Sequence, residues 1–134
     1  MIDIEIDFFD ELARLVLAEY PEAYVSNEYE RVPSQFPAVF ILESNNTEER
    51  STVSTFEGEE AVALTYEVQV AHPSAKRGKA VCKEIVRIVS DRMRERNMSR
   101  TMCMPVDNAE DPSVFRMIAR YTGIVDRFGT HFRR

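Results

Sequence analysis

Val62-Ala63-Leu64-Thr65-Tyr66-Glu67-Val68-Gln69-Val70-Ala71 places a large apolar residue at every second position, and the residues from 75 to about 96 change that period to three and four. Strict alternation is the signature of a half-buried strand with one wet face. His72-Pro73-Ser74 ends the strand, since proline has no N–H for a ladder, and Ser74 is placed to cap a helix beginning near Ala75. Along that helix Ala80, Val81, Ile85, Ile88, Val89 and Met93 form one apolar stripe, widened by Cys82 and Val86. Lys76, Lys79, Lys83, Arg87, Arg94 and Arg96 cover the rest, the late arginines suiting the negative end of the helix dipole. A stripe this regular is a core face rather than a cofactor box.

Beyond the helix, residues 100–104 read as a strand, and Asp107-Asn108-Ala109-Glu110-Asp111-Pro112 has the composition of a hairpin turn. The next strand is long. Phe115, Met117, Ala119, Tyr121 and Val125 share one phase, with Arg116, Ile118, Arg120, Thr122 and Ile124 in the other. Asp126-Arg127-Phe128-Gly129 closes a second turn, after which residues 130–134 can return as a short edge strand.

Towards the N-terminus, Phe8, Phe9, Leu12, Leu15, Val16 and Tyr20 have helical spacing from about Asp7, with Asp7, Asp10 and Glu11 in the first turn and Pro21 as the stop. Tyr24, Val25 and Tyr29 predict a short strand before Pro33, and Val39-Phe40-Ile41-Leu42 a strand buried on both faces. Residues 43–60 read as a long acidic loop, with a brief strand at Val53 and Phe56 and a turn at Gly58. Loops of this length are usually functional or disordered; here the choice is between an arm that orders against a partner and plain mobility.

The 134 residues fit one domain, 1–134, of class α+β: a mostly antiparallel or mixed sheet of four to five strands with two helices against it. With 44% hydrophobic and 30% charged residues the chain has the composition of a folded globular protein. No apolar run approaches a membrane span, and the start Met1-Ile2-Asp3-Ile4-Glu5 is acidic where a signal peptide is basic, so the expectation is a protein kept inside a cell. Cys82 and Cys103 are expected reduced and buried, and two scattered cysteines with two scattered histidines give no zinc spacing. The net charge of −6 is unevenly divided. Residues 1–60 hold 15 acids against 3 bases, net −12, and residues 61–134 hold 8 against 14, net +6. The two signs either offset each other within one fold or attract between neighbouring copies, in a head-to-tail contact that can close a ring.

Groups for catalysis are sparse. His72 and His131 read as surface residues, and the paired acids Glu48-Glu49 and Glu59-Glu60 lie in a loop that lacks the burial needed to separate their pKa values. Lys76-Arg77-Gly78-Lys79 lacks the glycines of a phosphate cradle, and the basic residues lack the interleaved aromatics of a nucleic-acid platform. Arg116 and Arg120 would need partners if their face is covered. Glu67 and Gln69 are the candidates, within the chain or across a subunit boundary.

Thr65-Tyr66-Glu67-Val68-Gln69-Val70, Arg77-Gly78-Lys79, Ser99-Arg100-Thr101 through Met104-Pro105-Val106-Asp107-Asn108, Phe115-Arg116-Met117-Ile118-Ala119-Arg120-Tyr121 and the terminal Phe132-Arg133-Arg134 together resemble the tail terminator, or tail completion, proteins of long-tailed bacteriophages, sometimes called minor capsid proteins. The resemblance covers roughly the last 75 residues; the first 60 agree only in layout. It implies a small α+β protein, not an enzyme and without a cofactor, that assembles as a hexameric ring on the head-proximal end of the tail tube in the host cytoplasm. Its partners would be its own copies, the major tail tube protein, the head–tail connector, and DNA passing through without specific binding. Arg116, Arg120, Tyr121, Arg133 and Arg134 fall within the motif and are taken, with Glu67 and Gln69, as candidate subunit or intrachain contacts. Glu48, Glu49, Arg50, Glu57, Glu59 and Glu60 are the candidate partner loop, whose carboxylates could also line a channel and repel DNA phosphates. The competing readings are a head-side connector adaptor or stopper, and a small metal-dependent hydrolase using loop carboxylates.

Overall fold

The alternating strand lies at the centre of the sheet. In a computed structural model describing residues 1–30, 33–48, 61–106, 112–126 and 131–132, the chain runs through helix α1 (Glu5–Glu19), strands β1 (Tyr24–Ser26), β2 (Ala38–Glu48) and β3 (Ala61–Pro73), a single 3-10 turn (Ser74–Lys76), helix α2 (Gly78–Glu95), and strands β4 (Ser99–Val106), β5 (Val114–Asp126) and β6 (His131–Phe132). The strand order is β1-β2-β3-β5-β4, with β6 also paired to β5. Only β1 and β2 run parallel; every other pair is antiparallel, so the sheet is mixed and the class is α+β. β3 covers one edge of β5 along its whole length, and β4 and β6 share the other edge end to end.

Both helices pack on the face that carries the alternating apolar residues. Val62, Leu64, Tyr66, Val68 and Val70 of β3 and Met117, Ala119, Tyr121 and Val125 of β5 meet Phe8, Leu12 and Val16 of α1 and Cys82, Ile85, Val89 and Met93 of α2 in one cluster. Leu12, Ile85 and Val89 are fully buried, and each such side chain stabilises the fold by about 1.5–3 kcal/mol. The second face carries a smaller cluster: Ala38, Phe40, Ala71 and Val114, with Tyr24, Phe36 and Leu42 beside it. Residues 38–41 are therefore buried at both phases, as their unbroken apolar run implies.

Several boundaries differ from the sequence expectations. Helix α2 begins at Gly78, not near Ala75, and Ser74 does not cap it. The Ser74 backbone N–H donates instead to the Ser113 carbonyl at 2.7 Å, and Arg77 turns the chain with a left-handed φ of 62°. A β-carbon on Gly78 would stand 2.7 Å from the His72 carbonyl oxygen and 2.9 Å from that of Pro73, so the helix can start this close to β3 only at a glycine. Ala80 is exposed, and the stripe centres on Cys82, Ile85, Val86, Val89 and Met93. Helix α1 starts two residues earlier than expected, and Tyr29 lies outside β1, with its ring 5.4 Å from that of Phe40.

The largest difference concerns residues 43–48. Expected as the start of a loop, they continue β2 and pair with Val62–Tyr66 across a bulge between Glu43 and Asn45. Their polarity is met locally: the Tyr66 hydroxyl donates to Glu43 at 3.1 Å, Ser44 Oγ to the Thr65 carbonyl at 3.2 Å and Asn46 Nδ2 to the Ile2 carbonyl at 2.9 Å. The expected strand at Val53 and Phe56, the turn at Gly58 and the residues of both C-terminal turns, 107–111 and 127–130, lie outside the described residues. β4 and β5 nevertheless form the antiparallel pair that a hairpin requires.

Candidate interaction surface

Edge strand β4 is the least covered of the long strands. Among its eight residues only Met102 is half-buried; the other seven are exposed, including Met104 at 49% and Val106 at 42%. Cys103 is thus exposed, against the expectation of burial, because it lies on a strand that α2 overhangs only marginally; Cys82 is buried as expected, and both thiols are free. Burial raises the Cys82 thiol to about 12. Among the described residues no strand pairs with the outer edge of β4, so its main-chain donors and acceptors face outward. Pro105 costs least on such an edge.

Arg116, Ile118, Arg120, Thr122 and Ile124 of β5 lie on the helix-free face, next to Met102, Met104 and Val106 of β4. Arg120 stands opposite Glu67, and their side chains pair within the chain at 3.6 Å. Gln69 is opposite Ile118, and Arg116 opposite Ala71. Tyr121 points the other way: it is 1% exposed and its hydroxyl lies 2.6 Å from that of Ser90 on α2, an intrachain contact. Burial raises its phenol above the usual range. The structure thus gathers Glu67, Gln69, Arg116 and Arg120 on one face and separates Tyr121 from them. Glu48 ends β2, exposed. Glu49, Arg50, Glu57, Glu59, Glu60, Arg133 and Arg134 lie outside the described residues.

Neither histidine is a plain surface residue. His72 and His131 are both partly covered, each with a buried Nδ1 that has no hydrogen-bond partner among the described residues, and burial lowers both below the ordinary histidine value. The His131 ring lies 5.4 Å from that of Phe8, near an ion cluster that ties α1 to α2. There Glu11 accepts from Arg96 and also meets Arg92 at 3.5 Å, which holds its carboxyl below the usual range. No group of three or more His, Cys, Asp and Glu residues that could hold a metal ion occurs among the described residues, and none of their helices is long and apolar enough to cross a membrane.

Part of the charged cover of α2 gains a setting that its sequence position does not show. Lys83, Arg87 and Arg94 recur at steps of four and seven along one flank of α2 and face Arg100 of β4 across two adjoining clefts of about 230 and 290 Å³. The spacing is visible in the sequence, but which strand the flank would meet is not. Comparison with known proteins adds no assignment: no protein-family model matches the chain, and no curated protein matches it either.

Proposed function

We propose that this chain is a structural virion protein of the tail-terminator kind, forming a ring on the head-proximal end of a phage tail tube. There it stops polymerisation of the tube protein and presents a surface to the head–tail connector. The observation that carries this reading is the open half of the sheet. Both helices lie on one face, and among the described residues the outer edge of β4 is unpaired and carries exposed apolar side chains that could meet another protein. Of the stretches that carry the family resemblance, residues 99–106 form β4 and Phe115–Tyr121 lie on the neighbouring β5, while Thr65–Val70 lie on β3 and Arg77–Lys79 at the start of α2. A surface of main-chain edge and mixed apolar and charged side chains suits repeated protein contact better than chemistry.

The experiment is co-sedimentation of the purified chain with isolated tails and with isolated heads. Binding to tails lacking heads supports the terminator. Binding only to heads transfers the protein to the connector, as an adaptor or stopper, and binding to neither withdraws both.

A further inference from the structure

The flank of α2 and the edge of β4 border two adjoining clefts. Arg100 stands between the two clefts and lines both. One cleft has an apolar floor of Val86, Met117 and Cys103 under a rim of Lys83 and Arg87; the other contains Ser90, Arg94 and Tyr121. Lys83, Arg87, Arg94 and Arg100 are exposed, and none pairs with a carboxylate among the described residues. Four cations that no described carboxylate pairs with, beside an edge that no described strand takes up, suit an extended, acidic segment with a few apolar side chains.

We infer that the groove between α2 and β4 receives the acidic stretch 48–60 of a second copy of this chain. This inference rests on the ring reading and names its contact. The charge is complementary: residues 48–60 hold five glutamates and one arginine, within a first half of net −12, while the groove belongs to a second half of net +6. The composition is complementary too. Thr52, Val53, Thr55 and Phe56 favour an extended segment that can add to an edge, with apolar side chains for the cleft floor. Because donor and acceptor are different parts of the surface, the contact is heterologous and propagates from copy to copy until it closes.

The test is a charge swap. Lys83→Glu with Arg87→Glu reverses the groove; Glu57→Lys, Glu59→Lys and Glu60→Lys reverse the segment. Light scattering of each purified variant is expected to show association weakened about tenfold or more, because like charges are now juxtaposed. An equimolar mixture is expected to regain the wild-type mass, since each reversed groove then meets a reversed segment. Circular dichroism confirms that both variants fold. A reversed groove that keeps the wild-type mass, as an intrachain contact would give, or a mixture that fails to recover, overturns the assignment. Should the wild type itself be monomeric, the ring reading fails, and a labelled peptide of residues 48–60 decides the groove separately. Saturable binding lost in the Lys83→Glu, Arg87→Glu variant sustains it; absent or unchanged binding overturns it. Displacement of the peptide by duplex DNA at lower concentration than by unlabelled peptide gives the groove to nucleic acid and overturns it as well.

Discussion

At the scale of single residues, the two cysteines have the same chemistry and opposite surroundings. Cys82 lies on the buried face of α2 with its thiol aimed at the Val70 and Phe115 carbonyls, both at 3.7 Å, whereas Cys103 is on the exposed edge strand. Thiolate is the reactive form, and burial suppresses it at Cys82. One thiol per chain is therefore expected to react with an alkylating reagent in the native protein and two after unfolding, read by mass spectrometry; fast labelling of Cys82 in the native state would contradict this packing. Gly78 is the other decisive residue. A methyl there meets two backbone carbonyls, which cannot swing aside as a side-chain end can. Gly78→Ala is expected to destabilise the fold by about 1–3 kcal/mol in denaturant unfolding, despite alanine's better helix propensity.

At the scale of elements, the junction of α1 with α2 and β6 sets the response to acid. Glu11 has a folded pKa below its ordinary 4.5, so its contribution is complete above that value and is lost as pH falls through the lower folded one. His131 and His72 act higher on the scale. Both are depressed below 6.5 when folded, so the unfolded chain takes up protons first. Stability then declines as pH drops below 6.5 and rises again with pH through that window. In a thermal-unfolding series, His131→Gln is expected to make the decline below 6.5 shallower, while Glu11→Gln removes part of the loss below 4.5. Since the Arg96 side chain is 45% exposed, the Glu11 substitution is expected to cost no more than about 1 kcal/mol at neutral pH. A steeper decline in the His131 variant would place that imidazole in a site that favours its charge.

At the scale of the whole molecule, the ring proposal makes the division of charge between the halves the driver of association. Light scattering across a concentration series is expected to give a discrete species of about six chains at low salt. Its mass should fall as salt rises, because the Debye length shrinks from about 10 Å at 0.1 M to about 3 Å at 1 M. Salt-independent association would point to the exposed apolar side chains of β4 as the dominant contact instead of its cations.

The sequence by itself determined the elements whose one face is core. β3, α2 and β5 are each long enough to repeat their period several times, and a repeated period is a local property that survives without knowledge of partners. It also put Arg116 and Arg120 on one face of their strand, because alternation fixes phase within a strand; that Glu67 stands opposite Arg120 is a matter of register. What it could not determine depended on which elements meet. Residues 43–48 pair as a strand, although their composition reads as loop, because β3 extends past them and Tyr66 and Ile2 satisfy their polar groups. Cys103 is exposed because β4 falls at the end of the strand order, and His131 lies against Phe8, which is distant in sequence. The groove follows the same rule. Lys83, Arg87 and Arg94 are a charged flank like many others until the pairing of β4 with β5 brings Arg100 opposite them, and that juxtaposition belongs to the tertiary structure alone.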